Sequence, residues 1–197
     1  MKHFDPRAVE VHVISNSEAA DAAQMRRHLA EMPHVRAGFL PLGKPSGALA
    51  GRNALARAAA YLPGFASLCK VMAYIRRHDI QVVHATDRPR DAFAAGLLGR
   101  LTRATSVVHM HAPVADLPGP TLWGLRNAAA IIAVSDSVKH DLIGAGIAPD
   151  RIHSVHNAVD VEHFHPDRLP PALPSIREQY GIPAGAPLAG IAARMNP

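Results

Sequence analysis

The sequence predicts an α/β fold in which helices cover both faces of a Rossmann-like parallel sheet. Short runs with the pattern of strands alternate with helical segments along most of the chain, and this alternation is typical of parallel sheets. At 197 residues and 48% hydrophobic, the chain can also bury the sizeable core that such a sheet needs.

Two different periods define the first three elements. Residues 9–15 alternate valine with Glu10 and His12, as expected of a strand that is covered on one face. The next segment is predicted to be a helix ended by Pro33, because its apolar residues recur at spacings of 3, 4 and 3. This apolar stripe consists of Ala22, Met25, Leu29 and Met32. Residues 35–42 are the next strand candidate.

The middle of the chain continues the alternation. A long helical region is predicted over 48–78, where Gly51, Pro63 and Gly64 are expected to split or kink it. The elements predicted after it are a buried strand at 80–86, a helix at 89–103, a strand at 106–112 and a short helix at 120–128.

The last third holds the helix with the clearest end signals. A strand at 130–135 leads into this helix, predicted at 135–146, where Ser135 or Asp136 can accept from N–H groups of the first turn. Gly146 stands where a left-handed residue ends a helix, and another strand follows at 151–159. Prolines then concentrate around a short helix (175–180) and a final strand (188–193), which indicates a linker into a second domain.

The charge of the chain is unevenly distributed. Residues 1–103 hold 15 Lys and Arg against 8 Asp and Glu, whereas 104–197 hold 6 against 8. Few aromatic residues lie among these cations, so the stacking surface of a nucleic-acid binder is missing and no nucleic-acid partner is expected. A phosphorylated ligand or an anionic membrane surface suits the basic half, and a merely solvated surface is the alternative.

Cysteine usage and hydropathy indicate the compartment. The single cysteine, Cys69, cannot form a disulfide within the chain, which is typical of a reducing environment. The first residues lack the apolar region of a signal peptide, and no run approaches 18 uninterrupted apolar residues. We therefore expect a cytoplasmic protein, peripheral at the inner membrane face if the basic half binds lipid.

Candidate ligand-binding residues lie where the predicted strands end, because parallel sheets bind ligands beyond the carboxyl ends of their strands. These residues are Thr86, Asp87, His109, His111, Ser135 and Asn157. Asp87 is equally well interpreted as a helix cap before Pro89, and Ser135 is a cap first and a ligand second. His109 and His111 share one face of their strand, but no Cys or carboxylate nearby completes a tetrahedral shell, so no metal is expected.

Several segments, in order, resemble the inter-domain region of retaining nucleotide-sugar glycosyltransferases of family four, which have the GT-B fold. They are "AIIAVSDSVKHDLIGAGIAPDRIHSVHNAVDVEHFHP", "REQYGIP" and "GIAAR", with Ala158 where the family usually has Gly. Upstream, "FDPRAVEVHVIS" is similar to the family's second strand and "IQVVHATD" to its fourth-strand region. "SVVHMHA" is similar to the strand that carries an active-site His.

The resemblance implies transfer of a sugar, with retention, from a nucleotide-sugar co-substrate to a hydroxyl of a glycan or lipid-linked acceptor. The pathway would be glycan or glycolipid biosynthesis, and no further cofactor is implied. His111 would lie beside the donor sugar, and Arg194 matches the family's phosphate-contacting Arg, with a surface Arg as its alternative.

The remaining candidates have supporting roles. Asp87, Arg88 and Arg90 follow a strand end and could meet the acceptor. Asn157 and Asp160 suit turn and linker positions that bond to backbone. His109 is expected to lie deeper than His111 and to be mainly structural, and it joins Ser135, Asn157 and Asp160 as the support of the site.

Two departures from the family define the expected domains. Members begin with a strand, a Gly-rich turn and a helix, whereas no glycine precedes Gly38 here. We therefore expect residues 1–165 to be an acceptor domain without its first strand-loop-helix unit, 166–186 a linker and 187–197 the first strand of an absent donor domain. Such a fragment would be inactive. The alternatives are a stand-alone module that binds a glycan, lipid or protein, and a GT-B epimerase relative.

Overall fold

The computed structural model describes residues 5–42, 54–86, 89–111, 117–168 and 175–190, without the side chains of 54–62, 89, 90 and 166. The chain divides into two compact units, residues 1–156 and 157–197. The first unit holds all six strands, which are β1 (Val11–Asn16), β2 (Val35–Leu40), β3 (Val82–Thr86), β4 (Thr105–Met110), β5 (Ala130–Ala133) and β6 (Ile152–Ser154). Its helices are α1 (Ala22–Ala30), α2 (Ala54–Arg77), α3 (Pro89–Leu101), α4 (Gly119–Asn127) and α5 (Asp136–Gly144).

The strands form two parallel sheets in the first unit. β1 pairs with β2, and the other four strands pair in the order β3-β4-β5-β6. A helix lies between each strand and the next one along the chain. The helix carries the chain back along the sheet, so that the next strand can run parallel to the previous one. The predicted Rossmann-like α/β fold is confirmed.

Helices α1 and α2 lie on opposite faces of the smaller sheet. Val11 and Val13 pack with Leu29 and Met32 of the α1 side, as their alternation with polar residues predicted. His12 points the other way, where its Nδ1 lies 2.8 Å from the hydroxyl of Tyr74 in α2. The sequence predicts cover on one face of β1 only, and this is wrong for the His12 face, where α2 packs and leaves the His12 side chain 8% exposed.

The main core lies between the larger sheet and α3, α4 and α5. Alternate residues of β4 and β5 face it, and Val108, Ile131 and Ala133 are at most 2% exposed. Leu125 and Leu142 contribute the apolar faces of α4 and α5, and both are fully buried. Burying a side chain of this size is worth roughly 1.5 to 3 kcal/mol, so this layer is the main stabilising part of the unit.

Some predicted boundaries change. The helix over 48–78 is described from Ala54 and runs to Arg77 with Pro63 inside it, so it is not split at Pro63 or Gly64. Residues 48–53, which include Gly51, lie outside the described residues. The strand predicted at 151–159 is limited to Ile152–Ser154. Gly146 has the predicted left-handed φ of 82°, and the N–H groups of Gly146 and Ile147 bond back to Ile143 and Leu142.

The described residues of the second unit contain a short α-helix, α6 (Ile176–Gln179), within the segment predicted to be helical, and a 3-10 turn at Pro166–Arg168. Ser175 caps it by accepting a hydrogen bond from the N–H of Arg177 at 3.2 Å. Residues 188–190, where the last strand was predicted to begin, are in neither helix nor strand, and 191–197 lie outside the described residues. Among the helices the structure describes, none is long and apolar enough to cross a membrane.

Candidate functional site

Three imidazole rings lie together on one face of the larger sheet, at the carboxyl ends of β3 and β4. Parallel register pairs Thr86 with His109, which brings His84 diagonally beside His109. The rings of His84 and His109 are stacked with centroids 5.7 Å apart and planes 13° apart. The rings of His109 and His111 are closer, at 4.2 Å. We call His84, His109 and His111 the histidine row.

The members of the histidine row differ in burial. His111, directly after β4, is exposed, whereas His109 is half-buried. The Nε2 atom of His109 is shielded from solvent and has no hydrogen-bond partner in the part of the chain that the structure describes. The position of His111 nearer the strand end, and of His109 deeper, is therefore as predicted.

Partial desolvation and mutual repulsion favour the neutral form of two of these rings, exposed His84 and half-buried His109. Desolvation lowers the pKa of His109 below its ordinary value, and the neighbouring His111 and His84 lower it further. Desolvation lowers the pKa of His84 as well, with a smaller contribution from His111. The pKa shifts therefore favour uncharged rings at both positions around neutral pH.

The lowered pKa values predict that acid destabilises the first unit. The unfolded chain has histidine pKa values near 6.5 and so binds more protons than the folded chain just below that pH. The free energy of unfolding should therefore fall as the pH drops through about 6.5 and level off once the folded rings also protonate. Urea unfolding at about pH 5.5 and pH 7.5 measures this change.

Paired substitutions assign that pH dependence to the histidine row. The double variant His84→Gln/His109→Gln should show a smaller loss of stability on acidification than the unchanged protein. The control His153→Gln alters an exposed histidine of β6 and should keep the full loss. If the double variant lost as much stability between pH 7.5 and pH 5.5 as the unchanged protein, the acid-sensitive groups would lie elsewhere.

The other candidate residues are placed as follows. Asp87, Arg88 and Arg194 lie outside the described residues, and Arg90 is described only as part of the backbone of α3. Their predicted roles toward acceptor and phosphate remain predictions.

The side chains of Ser135 and Asp160 accept hydrogen bonds from backbone N–H groups, as the sequence predicts. Ser135 is the N-cap of α5, where its Oγ accepts from the N–H of Val138 at 3.2 Å. Asp160 Oδ1 accepts from the N–H groups of Glu162 and His163 at 3.1 and 3.0 Å. Asn157 is exposed and is the first residue of the second unit.

His84 is the site residue that sequence reasoning missed. It lies in the segment "IQVVHAT", whose apolar neighbours indicated only a buried strand. The signal that could have found it is its position two residues before the end of β3, one strand away from the two histidines of β4.

The site has no obvious metal shell. Within the described ranges, no three His, Cys, Asp or Glu side chains are arranged to hold a metal ion. The chemistry that the histidine row itself offers is hydrogen bonding through neutral imidazoles, and protonation when an anion approaches.

Comparison with known proteins places these features in a family. The family model described as Glycosyltransferase Family 4 matches residues 1–163. No curated protein matches the chain. The crystal structure of Anabaena Alr3699/HepE in complex with UDP is similar, with 15% sequence identity, a TM-score of 0.56 and 88% of this chain covered. The structure of the same protein with UDP-glucose has 16% identity, a TM-score of 0.53 and 86% coverage.

The chain spans 50% of the length of each of these two solved chains. At such low identity the likeness shows a shared fold, which agrees with the parallel α/β architecture observed here. The family match covers far more than half of the 197 residues, including all six strands and the histidine row. The chain therefore belongs to Glycosyltransferase Family 4.

Proposed function

We propose that this chain is the acceptor-side part of a retaining hexosyltransferase that moves a sugar from a nucleotide-sugar donor to a hydroxyl of a glycan or lipid-linked acceptor. The observation that carries the proposal is the family match over 1–163 together with the histidine row at the strand ends that such sheets use for ligands. The solved structures with UDP and UDP-glucose support a nucleotide-sugar donor.

The reaction breaks the bond between the anomeric carbon and the nucleoside diphosphate and forms a bond to the acceptor oxygen on the same face of the sugar. The departing diphosphate takes the electron pair of the broken bond and accepts the proton that the acceptor hydroxyl loses. His111 is the residue proposed to lie beside the donor sugar, since it is exposed at the carboxyl end of β4. Arg194 is proposed to contact the diphosphate, and Asp87, Arg88 and Arg90 the acceptor.

The domain assignment is part of this proposal: 1–165 as acceptor domain, 166–186 as linker and 187–197 as the start of a donor domain. The two separate sheets support an absent strand within the first domain. Helix α2 lies beside both sheets, because Tyr74 bonds to His12 in β1 while Ile75 belongs to the hydrophobic cluster against which Val83 of β3 packs. In doubly wound sheets of order 3-2-1-4-5-6, the first strand lies between the second and the fourth, which correspond to β1 and β3 here.

The proposal places the protein in the cytoplasm, peripheral at the inner membrane face, in glycan or glycolipid biosynthesis. A reducing compartment suits its single cysteine, and the excess of Lys and Arg over Asp and Glu in residues 1–103 suits anionic lipid. Two alternative functions remain candidates. A stand-alone binding module would hold a glycan, lipid or protein on the same sheet, and an epimerase relative would act on the sugar nucleotide alone.

Titration calorimetry with a panel of nucleotide sugars tests whether donor binding requires the donor domain. The chain alone should bind none of them tightly, because the proposal assigns the diphosphate contacts mainly to the donor domain. Joined to a complete donor domain and a first strand unit, it should bind a donor and transfer sugar. Micromolar binding by the chain alone would contradict the proposal.

A further inference from the structure

A stretch without acidic residues runs through the middle of the basic half. Between Glu31 and Asp79 the sequence contains no Asp or Glu, yet it contains seven Lys and Arg. All of α2 lies inside this stretch. The excess charge of the basic half is therefore concentrated in this stretch of the sequence.

Helix α2 has one exposed side in the part whose side chains are described. Its exposed residues recur at helical spacing and form what we call the α2 outer face: Phe65, Ala66, Cys69, Lys70, Ala73, Arg76 and Arg77. The opposite side packs into the protein through Ser67, Leu68 and Ile75. The outer face is apolar at its first turns, where Phe65 is 65% exposed, and cationic at its last turn.

The end of α3 extends this surface. The Arg76 guanidinium donates to the carbonyl oxygen of Leu101 at 2.8 Å, so the last turns of α2 and α3 lie side by side. Leu101 is 49% exposed, and Arg103 shortly after it is also exposed. The surface thus combines exposed apolar side chains with cations, whereas a merely solvated helix face needs only polar groups.

The cations of α1 do not belong to this surface. Arg26 lies over the ring of Phe39, 3.9 Å from its centroid, in a cation–π contact. Helix α1 also covers the face of β1 opposite to α2, because Val11 and Val13 point toward it and His12 points toward Tyr74. Arg27 on α1 therefore serves as a matched exposed cation outside the α2 outer face.

We propose that the α2 outer face, extended by Leu101 and Arg103, docks the protein on an anionic lipid bilayer. Lys70, Arg77 and Arg103 would bind lipid phosphates, and Phe65 would enter the boundary between headgroups and acyl chains. The charge complementarity favours this partner over a nucleic acid, because Phe65 is the one aromatic residue among the described side chains of this face and offers no row for stacking bases. The inference rests on the proposed function in one respect: a lipid-linked acceptor would reach the protein at this membrane-docking surface.

Vesicle co-sedimentation with the whole chain tests the proposal. Vesicles of phosphatidylcholine containing about a third phosphatidylglycerol should bind the protein, and phosphatidylcholine vesicles should not. Each cation near such a surface strengthens binding about fivefold, so the double variant Lys70→Glu/Arg77→Glu should weaken it at least about 25-fold. The control Arg27→Glu/Lys139→Glu changes the net charge equally on α1 and α5 and should weaken binding by only about twofold.

Because Cys69 is the single cysteine and is exposed on the α2 outer face, it can carry a polarity-sensitive dye. The emission of the dye should shift to the blue when anionic vesicles are added, and Phe65→Ser should reduce this shift. Equal weakening by the two double variants, vesicle binding without a dye shift, or tighter binding to single-stranded RNA than to vesicles would each overturn the proposal. Absence of vesicle binding would do so too, and would leave the nucleotide-sugar experiment unaffected.

Discussion

Replacing Gly124 with alanine is expected to destabilise the first unit severely. In α4 this glycine lies directly against the backbone of α3, and an added Cβ would collide with the carbonyl group of Ala92 and lie 2.5 Å from Phe93 Cα. Backbone atoms cannot turn away as a flexible side chain can, so the helices must separate. We expect a loss of about 3 kcal/mol or more, which is a large part of the 5 to 15 kcal/mol typical of a domain.

Gly119→Ala is the matched control within the same helix. It changes the first residue of α4, where a Cβ would meet nothing within 4 Å. Its melting temperature should stay close to that of the unchanged protein, whereas Gly124→Ala should lower it by roughly 6 to 12 °C. Equal melting temperatures for the two variants would show that α3 and α4 are not packed backbone to backbone.

The backbone contact between α3 and α4 also predicts the effect of a second substitution. A Cβ at Gly96 of α3 would lie 2.7 Å from the carbonyl oxygen of Gly124, so the two glycines face each other. Once Gly124→Ala has forced the helices apart, Gly96→Ala should cost much less than it does alone, and the two losses should not add.

Most of the fold could be predicted from periodicity. The period of two in residues 9–15 correctly predicted a strand with its valines on one packed face, but the opposite face, predicted to be uncovered, is covered by α2. Ser135 and Gly146 correctly marked the ends of α5. Local rules predict a split or a kink at Pro63, and helix α2 continues through this residue without a split. That helix is held by tertiary contacts, such as the bond from Ser67 Oγ to the carbonyl oxygen of Pro41, which no local propensity contains.

The candidate site could be predicted only in part. His109 and His111 were found because a strand end is a positional signal within one segment. His84 was missed, because only the register between β3 and β4 brings it beside His109. The Gly96–Gly124 contact is a similar case, since small residues in a helix carry no sequence signal of which helix they face.

The second large effect is expected at His111. In the chain joined to a complete donor domain and a first strand unit, His111→Ala should lower kcat by at least about 100-fold, as loss of a positioned catalytic group does. Its melting temperature should change little, because His111 is exposed beyond the end of β4. Donor consumption and thermal unfolding, measured on the same preparations, separate the two effects.

His109→Ala is the matched comparison, since the same ring type lies on the same strand face with its centroid 4.2 Å from that of His111. It should keep kcat within about tenfold and change stability instead. Loss of ring packing destabilises the fold, whereas removal of a shielded and unpartnered Nε2 offsets part of that loss, so we expect about 1 kcal/mol. This is the lower end of the 1 to 3 kcal/mol expected when a buried imidazole has a partner to lose. If the two phenotypes were exchanged, His109 would be the residue beside the donor sugar; full activity in both variants would remove the histidine row from the transferase mechanism.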